Sequence, residues 1–157
     1  MAQGGLIGNG CKVGVSTGSP TSWTRVPQVV DVVPPQFTAD KINIDVHSTT
    51  NNLHRYRSGL NEVSDPTFTV LSDLDPATAP ILQTLLTANL QGTTLWFRFE
   101  IPTNDAKTLF RGCEFSATVG SFIPATPIGD KQTTQYNLQF NGDSVGWSAS
   151  TGATQIT

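Results

Sequence analysis

Charge is scarce in this sequence. Of its 157 residues only 13% are Asp, Glu, Lys or Arg, and nine Lys and Arg against twelve Asp and Glu leave a net charge of −3. Holding phosphates requires a basic surface, so the bulk charge argues against a nucleic-acid binder. Cysteine is almost as rare. Cys11 and Cys113 stand alone, without the paired C-x-x-C spacing of zinc or dithiol sites, and are expected to be free thiols. The opening MAQGGLIGNG lacks the basic region and apolar run of a signal peptide, and no apolar stretch approaches the roughly 20 residues of a membrane-spanning helix. These absences give the expectation of a cytoplasmic chain that makes no membrane contact.

Thr, Ser, Asn, Gln and Gly fill the polar share instead, a balance typical of β-rich proteins, and the length suits one domain with a sizeable core. Residues 1–10 read as a flexible glycine-rich arm, and Cys11, Val13 and Val15 alternate as a short strand. A β-branched stretch from Trp23 to Val33 ends at Pro34-Pro35, since proline lacks the ladder donor. QFTADKINIDV places Ile42, Ile44 and Val46 on a core face, with Lys41, Asn43, Asp45 and His47 on a wet one. A long polar loop then occupies residues 47–59, carrying both histidines and two of the five arginines; loops of that length are usually functional or disordered. DPTFTVL gives a strand with Phe68 and Val70 inward.

The period then changes. Asp75 can cap a helix, Pro76 or Pro80 suits its first turn, Ile81, Leu82, Leu85, Leu86 and Leu90 fall near helical spacing, and Gly92 stops it. TTLWFRFEIP alternates Leu95, Phe97, Phe99 and Ile101 against Trp96, Arg98 and Glu100. Cys113, Phe115, Ala117 and Val119, then Tyr136, Leu138 and Phe140, form further apolar faces, and residues 148–157 trail off as a small-residue tail. The sum is six or seven strands and one helix: an antiparallel β-sandwich or barrel with a flanking helix.

Catalytic chemistry is hard to assemble from these parts. His47, Ser48 and Asp45 are neighbours on a strand end whose side chains alternate in direction, which does not make a triad. His47 and His54 have no third ligand at suitable spacing, so no metal is expected. GGLIGNG precedes a strand and opens no helix, so it is not a phosphate cradle. Asp73 and Asp75 are explained by helix capping better than by a pair flanking a sugar. Arg55 and Arg57 flank Tyr56, residue types suited to a protein contact. The expectation is no enzyme, no cofactor and no metal.

The order of the pieces, VGVSTGSPTSWTRVPQVVDVVPP, DKINIDVHS, HRYRSGLNE, DLDP before a leucine-rich helix, WFRFEIP and FRGCEFSATVG, resembles the major tail tube protein of long non-contractile-tailed bacteriophages. The resemblance spans nearly the whole chain and rests on order and spacing. It implies a virion protein, assembled in the host bacterial cytoplasm, that stacks as homohexameric rings into a tube through which double-stranded DNA passes. Implied partners are further copies of the chain and tape-measure, tail terminator and tail-tip proteins. The chain ends too soon after Trp147 to hold the immunoglobulin-like C-terminal domain common in the family.

In such a tube the 47–59 loop would reach the next ring through His47, Asn51, His54, Arg55, Tyr56 and Arg57. The neutral polar strand faces bearing Asn43, Asp45, Thr67, Thr69, Gln135, Asn137 and Gln139 would line the channel, because a wall that conducts DNA must not hold it. Two alternatives stay open: a tube protein of a contractile tail or secretion device, and a β-sandwich carbohydrate-binding module using Trp96, Trp147 and Tyr56.

Overall fold

The structure, a computed structural model, describes residues 10–18, 20, 22–44, 54, 56–71, 80–150 and 156. Among them are nine strands and one helix: β1 (Lys12–Ser16), β2 (Thr24–Arg25), β3 (Val29–Val33), β4 (Phe37–Asn43), β5 (Tyr56–Val63), β6 (Thr67–Leu71), α1 (Pro80–Gln91), β7 (Thr94–Pro102), β8 (Phe110–Ala125) and β9 (Thr133–Ala149). Seven strands form one antiparallel sheet in the order β2-β1-β7-β8-β9-β6-β3, and β4 pairs only with β5.

β8 and β9 are long, at 16 and 17 residues, and their ladder is interrupted by register shifts near Glu114, Phe115 and Gly120. Bulges bend and twist a strand, and here the bending folds the sheet over on itself. Phe68 of β6 lies three strands from β7 in the sheet order, yet its ring centroid is 6.3 Å from Phe97 and 6.1 Å from Phe99. The two halves therefore face each other around one core of Val13, Val15, Phe68, Phe97, Phe99, Phe115, Tyr136 and Leu138, all buried. Edge-on pairs such as Phe99 on Phe115 (5.1 Å, 88°) match the quadrupole preference of aromatic rings. The sandwich expected from the alternating strands is thus made by one folded sheet.

α1 starts at Pro80, whose missing N–H costs nothing at a first helical position, and ends at Gly92, which takes a φ of 66°. Ile81, Leu82, Leu85 and Ala88 are buried, and the Asn89 side-chain amide donates to the Val119 carbonyl at 2.8 Å. Leu90, expected in the buried stripe, is exposed because Ala88 occupies the facing position. Asp75 and Pro76 lie outside the described residues.

β7 departs most from its sequence pattern. Its second face carries Trp96, Arg98 and Glu100 opposite the apolar row, yet Arg98 and Glu100 are fully buried. Arg98 Nε donates to Glu100 Oε1 at 3.0 Å, Nη1 pairs with Glu114 Oε1, and Nη2 donates to Ser150 Oγ at 2.6 Å. Room for the guanidinium exists because residue 112 is glycine; a Cβ there would overlap Arg98. The cover comes from the end of the chain. Ser150 follows β9, and Ile156 is buried, its N–H donating to Glu100 Oε1 at 2.9 Å. Alternation alone cannot distinguish a solvated face from one roofed by a distant segment.

Candidate functional site

Two surfaces gather the residues singled out from sequence. The first is the outer face of the β3-β6-β9-β8 half of the sheet. Phe68 and Val70 point into the core, so Thr67 and Thr69 stand on the opposite face. Register sets Thr67 opposite Asn137 and Thr69 opposite Gln135 on β9, and β8 continues the two rows with Ser121 and Ile123. Gln135 Nε2 donates to Asn137 Oδ1 at 3.0 Å, and Asn137 Nδ2 donates to Ser121 Oγ at 2.8 Å. Gln139 pairs with Thr118, and Thr118 with Thr94 of β7. On the β3 side the rows end in Asp31 and Val33.

Five lining candidates, Thr67, Thr69, Gln135, Asn137 and Gln139, therefore share one surface. It is built mainly of amides and hydroxyls, with exposed Ile123 and Val33 at the ends of its rows, the Asp31 carboxylate at its border and no cation among these described residues. Its amides bond to one another, and without Lys or Arg it has nothing with which to neutralise a phosphate. Asn43 does not belong to it, because β4 forms its own two-stranded unit with β5; Asp45 lies outside the described residues.

The second surface is that β4–β5 hairpin. Ile42 and Ile44, expected to face the core, are 51% and 41% exposed, and every residue of β4 is exposed. Leu60 is 85% exposed and Tyr56 56%. The presumed loop of residues 47–59 is shorter, since Tyr56–Gly59 belong to β5: Asn43 pairs with Tyr56, Ile42 with Arg57 and Lys41 with Ser58. The polar types in RYRSG obscured a strand that the apolar alternation across the loop specifies.

Cross-strand pairing sorts the anchors. Lys41, Asn43, Tyr56 and Ser58 share one face, with Lys41 Nζ 5.8 Å from the Tyr56 ring centroid and the His54 ring 6.3 Å away. Ile42 and Arg57 share the other, and Ile42 lies over Gly59, its Cδ1 3.2 Å from the position a Cβ would take. Tyr56 and Arg57 thus face opposite ways. His47, Asn51 and Arg55 lie outside the described residues. At the root, Gln36 N–H donates to Ser64 Oγ and Ser64 N–H to the Gln36 carbonyl, each at 2.9 Å, so the hairpin leaves the body from a fixed base.

Reactive chemistry finds little support. Among the described residues no three His, Cys, Asp or Glu side chains converge on a possible metal position. Burial pushes the Cys113 thiol up to about 11, with Arg98 opposing and Glu114 adding, so it is not a thiolate at neutral pH. Cys11 is raised by burial first and then by the Asp31 carboxylate. Among the described residues neither cysteine forms a disulfide. Trp96 pairs with Ser116 on the outer face of the sheet, whereas Trp147 pairs with Cys113 and packs on the core, so the two cannot form one sugar-stacking platform.

No protein-family model matches the chain, and no curated protein matches it significantly. Solved structures do. The tail tube of SPP1, determined by solid-state NMR and cryo-electron microscopy, aligns over 98% of this chain and 81% of its own, with a TM-score of 0.64 and 13% identity. The chain has the tail-tube fold. A chain of the native gene transfer agent particle matches with a TM-score of 0.62 at 9% identity, covering 96% of this chain and all of the other. A chain of the anti-feeding prophage baseplate gives 0.69 at 7% identity, covering 99% and 100%. The antiparallel strands with one helix are the tail-tube arrangement; the identities are too low to carry more than fold.

Proposed function

We propose that this chain is the structural subunit of a tail tube: a virion protein that stacks as hexameric rings around a channel conducting double-stranded DNA. The observation that carries the reading is the coexistence, on a tail-tube fold, of a cation-free amide and hydroxyl face and a hairpin exposed on both sides. The first suits a channel wall on which DNA slides, because each Lys or Arg neutralising a phosphate would add a salt-dependent hold. The second suits an element that acquires its burial from neighbours. Exposed apolar side chains at Phe37, Ile42, Ile44, Tyr56 and Leu60 are concentrated in a hairpin with no core of its own, and an isolated two-stranded hairpin is marginal in water.

In this arrangement the hairpin bridges to the adjacent ring, with Tyr56 and Arg57 as described anchors and His47, Asn51, His54 and Arg55 completing the contact around the tip. Tyr and Arg contribute most when desolvated at an interface. Tape-measure, terminator and tail-tip proteins meet the tube inside and at its ends, and the subunit acts by assembly, without catalysis. Negative-stain microscopy of concentrated protein tests the reading: stacked rings with a central channel are expected, and a protein that stays monomeric even with tail-tip nucleators would overturn it. The likeness to a chain of the anti-feeding prophage baseplate fits a second reading of the same fold, the tube of a contractile or secretion device.

A further inference from the structure

The two ends of β8 carry complementary features. At its start, Ile101, Thr103, Arg111 and Trp147 surround an open cavity of about 350 Å³. Ile101 pairs with Arg111 across the β7–β8 ladder, and the Trp147 indole, braced on the core from β9, supplies another wall. The rim is held in shape. Thr103 N–H donates to the Leu109 carbonyl at 2.8 Å, and Asn104 Oδ1 accepts from the Thr108 and Leu109 N–H groups at 2.9 and 3.1 Å. Arg111 and Leu109 are both exposed, so an apolar hollow with a guanidinium at its edge opens to solvent.

Beyond the other end of β8, the turn to β9 presents Ile128, wholly exposed. Gly129 follows with a φ of 80°, the left-handed value taken by the second central residue of a type II turn. Turns favour Pro, Gly, Asn, Asp and Ser, and nothing in their geometry calls for a branched apolar side chain. Asp130 comes next, its Oδ1 accepting from the Lys131 N–H at 2.7 Å, so the turn offers an aliphatic side chain with a carboxylate close by. Ile128 does not fill the hollow of its own chain. The two are separated by the length of β8, whose ladder with β9 runs from Arg111 and Ala149 to Ala125 and Thr133.

From this arrangement we infer that the turn bearing Ile128 docks into the Ile101–Trp147 cavity of a second copy, where Asp130 meets Arg111. An apolar knob fits an apolar hollow, and the charges at their borders are opposite. The rim loop also holds Asp105 and Lys107 and the turn Lys131, so the match of sign is local to Asp130 and Arg111. Such a contact joins one end of the strand to the opposite end of the next molecule's, and a heterologous contact that does not close builds an open stack. One turn covers far less than the roughly 1,000 Å² of a stable pair, so the contact gains its strength by repetition in an assembly. It uses neither the β4–β5 hairpin nor the amide face, and it stands or falls separately from the tube reading.

Covalent trapping accumulates a weak contact and so tests it in solution. Two full-length subunits on a Cys11→Ser background, one carrying Ile128→Cys and the other Thr103→Cys, are mixed under copper-phenanthroline oxidation, and the mixed disulfide is followed on non-reducing gels. It should form at least about tenfold faster than in a control mixture of Leu60→Cys and Thr103→Cys subunits. Asp130→Arg on the first subunit or Arg111→Asp on the second should each slow it by about tenfold, and the two together should restore it. A mixed disulfide no faster than the control overturns the inference, and so does a Leu60 pairing that outruns Ile128, which would assign the cavity to the hairpin. Charge reversals without effect, or without mutual rescue, overturn the pairing of Asp130 with Arg111.

Discussion

β7 and β4 both alternate polar and apolar residues, and the structure treats them in opposite ways. The polar face of β7 is sealed inside the subunit, with Arg98 and Glu100 fully buried and paired, while the apolar residues of β4 stand in solvent. The difference is one of cover. β7 has β1 and β8 beside it and Ser150 and Ile156 over its outer face, so its charges had to find partners within the chain. β4 has only β5, so Phe37 and Ile42 stay exposed in the subunit. A strand face tells what it prefers to touch, and the fold decides whether that contact comes from the same chain or another.

The comparison breaks most visibly at Arg98. Arg98→Ala leaves Glu100 and Glu114 as unneutralised carboxylates in a dry site, a loss of about 3–5 kcal/mol that should lower the melting temperature by roughly 10 °C; calorimetry checks it. Gly112→Ala forces the guanidinium from its place and should cost about 1–3 kcal/mol by overpacking, read from chemical denaturation with an unchanged slope. At the hairpin, Ile42→Ser and Tyr56→Ala should change subunit stability by no more than about 0.5 kcal/mol, as surface substitutions do, while abolishing tubes. Equal destabilisation at Arg98 and Ile42 would erase the distinction between the two regions.

Alkaline titration sharpens it further. Burial raises Cys113 from 9.0 to about 11 and Tyr136 from 10.0 to about 12. For both groups the folded state holds the proton more tightly than the unfolded one, so the associated stability is fully present below pH 9 and is lost as pH rises through the folded values. Unfolding free energy should therefore decline between about pH 9 and 12. Cys113→Ala should flatten the earlier part of the decline and Tyr136→Phe the later part; a profile unchanged by both substitutions would contradict their burial.

Much of the fold was legible because the core strands are regular. Phe68 and Val70, Phe97 and Phe99, and Tyr136 and Leu138 alternate cleanly and are buried as the pattern requires, and Pro80 and Gly92 bound the helix. The grouping of Thr67, Thr69, Gln135 and Asn137 was legible as polarity, though their adjacency depends on the β6–β9 pairing, which no local pattern encodes. Burial of Arg98 and Glu100 could not be seen, since it depends on Ser150 and Ile156, about fifty residues away in sequence. The hairpin was half legible. Its apolar alternation is plain in the sequence, but a core strand and a strand awaiting a partner share that pattern, and the polar run through Arg57 and Ser58 read as loop.

The most direct test of the account is a helical reconstruction of assembled tubes at side-chain resolution. Thr67, Gln135 and Asn137 should face a channel without basic residues on its wall, and Ile42, Tyr56 and Arg57 should lose their solvent exposure against neighbouring copies. Tubes in which the hairpin stays solvated and the channel is lined by another face of the subunit would contradict it.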